Sequence, residues 1–368
     1  LTNTPAFSFC ATSTKNEVPS TSTSRNINLK NKLGHIPALE DFDKYGEMDV
    51  LRIFDNKSLG SYYQFLVKYE KEYTIRLSKG EETVIAFVSQ KLASGKRIHE
   101  LELLKRLLGY HHGIMRSLQT SLKENYNCSI DDNCAANIIN VMTNQFPTSA
   151  AKKTYADCVF LEQEGDDYGI SKPFQKMLRN KDFFDMLKEL IDFGIARYQR
   201  NFSMRYQDTD LVLYQKYTYE DACHLLNWEK NEVPLNIGGY KYHRDTKTYP
   251  LFINYHKDEG IQDSIKYEDR FESPTLLKAI SKNNRSFTSD DVITAFDADE
   301  LGVAMHLFMR KNKDDEESKE FYYLGPIHST GRENAEEIMM ASDTKAVELE
   351  YRLDVPVRDD IYDYLLNG

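Results

Sequence analysis

The chain has 368 residues, 29 % of them charged and 40 % hydrophobic, which exceeds one compact domain and excludes a wholly disordered protein. Its net charge of −11 is unlike that of a typical nucleic-acid-binding protein. Five cysteines without a CxxC spacing argue against both a disulfide framework and a zinc knuckle.

Charge distribution says more than the sum. Residues 1–200 hold 27 basic and 25 acidic side chains, and residues 201–368 hold 20 and 33. Within the acidic half, residues 236–285 carry 9 basic and 7 acidic groups, whereas 286–368 carry 8 and 20. A surface in this half that meets phosphates is therefore expected in 236–285. No run approaches the roughly 18 apolar residues of a membrane span, and no signal peptide is evident, so a cytoplasmic protein is expected. The chain opens with Leu1 rather than Met, so a fragment or processed product is expected.

Residues 1–27, rich in Ser, Thr, Asn and Pro, read as a flexible tail. Residues 28–204 read as a helical block punctuated by Gly and Pro. In RIHELELLKRLLGYHHGIMRSLQTSL, Ile98, Leu101, Leu104, Leu108, Met115, Leu118 and Leu122 form an apolar stripe. A second stripe runs through Phe184, Leu187, Leu190, Ile191, Ile195 and Tyr198. Such stripes predict bundle core. Ser171–Lys172–Pro173 predicts a helix start, with proline in the first turn.

The pattern changes in residues 205–368. LVLYQKYTY alternates like a strand, and TYEDACHLLNWEK predicts a helix capped by Thr218. KYHRDTKTYPLFINY predicts a hairpin turning at Asp245–Lys247, with Leu251, Ile253 and Tyr255 on one face. VAMHLFMRK and KEFYYLGPI predict a second hairpin, KAVELEYRLDV a further strand and DDIYDYLL a closing helical turn. The fold class is α+β: a helical block, then a curled β-sheet or small barrel.

Catalytic motifs are missing. There is no GxxxxGK[ST], no HxK pair, no HExxH and no GxSxG. Glu317–Lys319 fits ExK only inside a charged turn, and adjacent His111 and His112 on a helix point about 100° apart and cannot chelate together. No catalytic residue, metal or cofactor is expected.

The informative stretch is 236–285. Gly238–Gly239 permits close backbone approach, and Tyr240 and Tyr242 follow at strand spacing. Tyr255 and Lys257 end one strand; Tyr267, Asp269 and Phe271 form a second aromatic and acidic group; Ser281, Lys282 and Arg285 lie in a polar, basic loop. Aromatic rings can sandwich a base taken out of the stack, and a carboxylate can accept from a cytosine amino group. Ordinary sheet packing with surface ion pairs would give the same pattern.

The runs TYEDACHLLNWEKN, NIGGYKY, PLFINYHK, IKYEDRF, AISKNNR and EFYYLG, in order over roughly 110 residues, resemble the domain behind the superfamily 2 helicase motor of type IV, modification-dependent restriction enzymes. GHIPALEDFDKYGEMDVLRIFDNKSLGSYYQFLVKYEKEY resembles the helical region joining that motor to it. The resemblance implies a helical coupler (28–204) and an SRA/PUA-like domain (205–368) recognising double-stranded DNA with 5-methylcytosine or 5-hydroxymethylcytosine by base flipping. It implies nuclease and helicase domains as partners, with the enzyme's catalysis carried by them. Tyr240, Tyr255, Tyr267, Asp269 and Phe271 are the expected base contacts, and Lys257, Lys282 and Arg285 the expected backbone contacts. The alternative is an assembly module, packing on the motor or forming a homodimer.

Overall fold

The computed structural model describes residues 39–45, 50–55, 59–69, 74–109, 113–255, 269–311, 319–340 and 343–367. The molecule is α+β, with a mainly helical part leading into a mixed sheet. Among the described residues no helix is long and apolar enough to cross a membrane. The tail 1–27, the His111–His112 pair, Glu317 and Cys10 lie outside the described residues.

Local sequence accounts for the helix boundaries. Ser78 and Glu81 form a reciprocal capping box at the start of Lys79–Phe87. The Ser171 side chain accepts from the Phe174 amide, and Pro173 sits in the first turn of Lys172–Met177, as the sequence predicts. Thr218 caps Tyr219–Leu225 through a capping box with Asp221, also as predicted.

The first apolar stripe runs over two helices, His99–Leu107 and Ile114–Tyr126; Gly113, in the left-handed region at φ 61°, starts the second. In Lys181–Arg197 the rings of Phe183 and Phe193 are buried, whereas Phe184 is half-buried. Inside the block an unexpected hairpin appears: β1 (Leu161–Glu164) and β2 (Asp167–Ile170) pair around Gly165 at φ 63°.

Strands β3 (Lys216–Tyr217), β4 (Thr248–Asn254), β5 (Arg270–Ser273), β6 (Leu276–Ile280), β7 (Ala304–Arg310), β8 (Phe321–Ser329), β9 (Glu336–Met339) and β10 (Lys345–Leu353) form one sheet. Its order is β4-β7-β8-β10-β6-β5, with β3 on β8 and β9 on β10. Only β4–β7 among these pairs is parallel. The β7–β8 hairpin and the strand Lys345–Leu353 match expectation. LVLYQKYTY yields only the two residues of β3, because Tyr214 turns at φ 65° while Leu211 and Val212 sink into the helical core. The first arm of the hairpin before β4 reduces to two isolated bridges, Tyr240–Leu251 and His243–Thr248.

Alternation along β4 divides its side chains between two cores. Tyr249, Leu251 and Ile253 enter a core inside the sheet, and Phe252 enters the core that runs through the helices. Phe308, Phe321 and Tyr323 join Phe252 on that outer face. The sheet curls strongly, yet no ladder joins β4 to β5 among the described residues, so no barrel is closed.

Candidate nucleic-acid interface

The curl brings together segments that are far apart in sequence. Tyr255, just past β4, stacks on Phe271 of β5 with centroids 5.8 Å apart and an interplanar angle of 27°. The Phe271 amide donates to the Tyr255 hydroxyl at 3.3 Å, so side chains link the end of β4 to β5, two strands that no ladder joins among the described residues. Tyr362 of the last helix, Asp359–Asn367, packs on the Phe271 ring at 5.4 Å.

Beside this pair, Tyr240 is buried. Its hydroxyl donates to Asp291 Oδ2 at 3.0 Å and accepts from the Lys282 amide at 3.0 Å. Lys282 Nζ donates to the Tyr240 carbonyl at 2.8 Å and lies 4.5 Å from the centre of its ring. Burial lowers the Lys282 amine below its ordinary value, against the pull of Asp291. Arg285 Nε donates to Asp291 Oδ2 at 2.6 Å, and this bond raises the guanidinium further. Asp291, in the first turn of Asp290–Phe296, thus collects Tyr240 and Arg285 on one oxygen.

Asp269 Oδ1 accepts from the Ile280 amide at 2.8 Å, fastening the entry of β5 to the end of β6, two residues from Lys282. Tyr240, Tyr255, Asp269, Phe271, Lys282 and Arg285 therefore share one neighbourhood at the open edge. Lys257 and Tyr267 lie outside the described residues.

The backbone at the mouth is tightly shaped. Pro234–Ile237 is a short helix ended by Gly238 at φ 54°, followed by Gly239 at φ 94°. A Cβ on Gly238 would lie 3.5 Å from Lys282 Cε, so the turn rests on the lysine stem. The Glu232–Lys241 ion pair, 2.6 Å, ties the two ends of this loop.

Three groups escaped the sequence reading: Asp291, Tyr249 and Tyr351. With Tyr240 they line a cavity of about 10 Å³, room for one water at most. The Tyr249 hydroxyl donates to the Asp291 carbonyl at 3.2 Å. Burial and the nearby Tyr240, Asp269 and Asp291 push the Tyr351 phenol well up.

Two larger spaces suit DNA poorly. A cleft of about 630 Å³ between helices and sheet is lined by Asp131, Asp208, Asp210 and Asp354, and its Arg205 is paired with Asp210 at 3.5 Å. A second, of about 240 Å³, holds Lys91 and Lys96, which are bound to Glu220 and to Asp221 and Glu320. Among the described residues no group of three or more His, Cys, Asp or Glu could hold a metal ion.

Residues 24–201 match the model of one domain of unknown function, DUF8090, and residues 211–365 that of another, DUF3427. Among curated proteins none matches. Similar solved structures include the SRA domain of SUVH5 with fully methylated CG DNA, at 9 % identity over 40 % of this chain and 92 % of that one, TM-score 0.27. The DNA modification-dependent restriction endonuclease AspBHI matches at 12 % identity over 41 % and 78 %, TM-score 0.27. KRYPTONITE in complex with mCHG DNA and SAH matches at 9 % identity over 62 % and 45 %, TM-score 0.30.

Proposed function

We propose that this chain recognises duplex DNA carrying 5-methylcytosine or 5-hydroxymethylcytosine, as the target-recognition part of a SauUSI-like type IV restriction enzyme. The observation that carries the reading is the convergence at one open sheet edge. Aromatic rings (Tyr240, Tyr255, Phe271), carboxylates (Asp269, Asp291) and cations (Lys282, Arg285) meet there from separate segments. This is the equipment for taking a base out of the stack while basic groups hold the flanking phosphates.

In this reading Lys282 and Arg285 exchange their present partners for phosphate oxygens, with Lys257 and Tyr267 joining from the β4–β5 connection. Residues 28–204 act as the coupler, and the nuclease and ATPase chemistry belongs to partner domains of the parent enzyme.

The test is a binding titration against one duplex in unmodified, 5-methylcytosine and 5-hydroxymethylcytosine forms at fixed salt. A preference of about tenfold, about 1.4 kcal/mol, for a modified form is expected. Equal affinity for all three would reject modified-base recognition. Replacing Lys282 or Arg285 with Ala should weaken all forms alike and reduce the salt slope by about one.

A further inference from the structure

The cleft of about 630 Å³ between helices and sheet turns phosphate away, and the same chemistry suits a ligand of opposite charge. Its carboxylates come from separate segments. Asp131 caps the helix Asp132–Met142, Asp208 and Asp210 lie in the connection to β3, and Asp354 follows β10. Asp210 is answered by Arg97 at 3.3 Å and Arg205 at 3.5 Å, and Asp354 rests on His328 Nε2 at 3.0 Å. Asp131 and Asp208 make no ion pair among the described residues.

Carboxylates alone would be ordinary surface, but two uncharged side chains on the same wall lack partners. His306 is only 3 % exposed, and its one hydrogen bond among the described residues joins Nδ1 to the Tyr323 hydroxyl, so Nε2 is left to the cleft. Burial keeps the ring neutral at pH 7, with a pKa of about 4, so it does not oppose a cation. With its proton on Nδ1, the ring offers Nε2 as an acceptor. Asn227 stands at φ 59° just past the helix Tyr219–Leu225, and its Oδ1 is enclosed without a hydrogen-bond partner. Its residue also belongs to the cleft wall, and a half-turn of the amide exchanges its two ends. Enclosed polar atoms are ordinarily satisfied, so two unused acceptors beside open carboxylates call for a donor-rich ligand.

We propose that this cleft binds an extended organic cation with several ammonium groups, the chemistry of a polyamine or of a lysine-rich segment. Asp131 and Asp208 take the charge, and Asn227 and His306 accept from its N–H donors. A single metal ion has the wrong shape: among the described residues no three His, Cys, Asp or Glu gather closely enough to hold one. Charges spread along a cleft match ammonium groups spaced by methylenes, and those methylenes can lie against Val303, Met305 and Ile327. The volume is that of a small-molecule site. This inference goes beyond DNA recognition and does not depend on it. Because the walls come from both the helices and the sheet, a bound cation would tie the two parts together.

The experiment uses the whole chain without DNA, whose phosphates would compete for the cation. Trp228 is the one tryptophan in the sequence; its Nε1 donates to Thr248 Oγ1 at 2.9 Å, and Thr248 lines the cleft. Tryptophan fluorescence and calorimetry follow titrations with spermidine, a blocked tri-lysine peptide, and magnesium chloride at matched ionic strength. Spermidine should bind saturably, about tenfold or more tighter than magnesium, and raise the melting temperature. Asp208 is exposed, so Asp208→Asn should melt like wild type yet bind spermidine about tenfold more weakly. Asn227→Gly keeps the left-handed backbone, removes the unpartnered amide and should weaken binding about threefold. Saturable binding of the peptide but not of spermidine would support the site and assign its cation to a protein segment. Saturable binding of neither, magnesium matching spermidine, or wild-type affinity in both variants overturns the proposal.

Discussion

Protonation of one buried ring should set much of the acid sensitivity of this fold. His306, on β7, is buried at the wall of the cleft between helices and sheet, and its Nδ1 lies 3.0 Å from the Tyr323 hydroxyl. Burial lowers its pKa from 6.5 to about 4, with no neighbouring charge contributing. Between those values the unfolded chain takes up a proton that the folded chain refuses. The ring's stabilisation is therefore complete above pH 6.5 and is lost as pH falls towards 4. A displacement from 6.5 to about 4 corresponds to about 3 kcal/mol in all, of which about 2 kcal/mol is already lost at pH 5. His306→Gln abolishes the titration and keeps an amide able to bond Tyr323. Urea denaturation of both proteins at pH 7.5 and 5 should show the wild type losing about 2 kcal/mol more than the variant. His99, also lowered to about 4, titrates in both proteins and cancels in the difference. Equal losses in the two proteins would refute a neutral, desolvated His306.

Other perturbations test the packing. Gly95→Ala would place a Cβ 2.5 Å from the Gly194 carbonyl oxygen and 2.6 Å from the Tyr198 nitrogen, at φ 72°. Neither backbone atom can yield, so a loss of about 3 kcal/mol or more is expected, read as a melting temperature lower by roughly 6 °C or more. Lys96→Met leaves Asp221 and Glu320 without the ammonium that each holds at 2.6 Å, and should cost about 3–5 kcal/mol in urea denaturation. Adding Asp221→Asn and Glu320→Gln should recover part of that loss. Ser171→Ala removes the acceptor for the Phe174 amide and should cost about 1 kcal/mol in the same assay.

Much of the element order was legible because it is written in local pattern. The period-two runs of β7, β8 and β10 and the Thr218 and Ser171 caps depend on residues within a few positions of each other. What was illegible is non-local. The parallel pairing of β4 with β7 joins strands some fifty residues apart, and nothing in either strand announces it. The break between Leu107 and Ile114 was hidden because the apolar stripe resumes in phase after the turn. The same distinction governs the site. Lys282 and Arg285 stood out as a basic loop, but Asp291 looks like any acidic residue in a helix's first turn. Tyr351 had a usable signal: it alternates with the inward Val347, Leu349 and Leu353 of β10, which makes it a core-facing phenol. Only the curl of the sheet sets these two beside Tyr240.

That curl also bears on how recognition could be felt elsewhere in the molecule. β4 carries Tyr249 and Leu251 to the small chamber beside Asp291 on one face and Phe252 into the helical core on the other. Phe252 stacks on Phe308 at 4.8 Å and lies 4.3 Å from the ring of Tyr219, on the helix whose acidic turn is held by Lys91 and Lys96. Opening the chamber by moving β4 would disturb that stack, because close-packed side chains on one strand cannot shift independently. A strand shared by two cores therefore gives the proposed recognition face a mechanical route to the helices. Phe252→Leu, which thins the stack at about 1 kcal/mol or somewhat more, should weaken the link while leaving the chamber's own side chains in place. The check is hydrogen exchange across Tyr219–Leu225 with and without methylated duplex: protection gained on binding in wild type should shrink in the variant. Unchanged protection would show that the helices do not sense the chamber through Phe252.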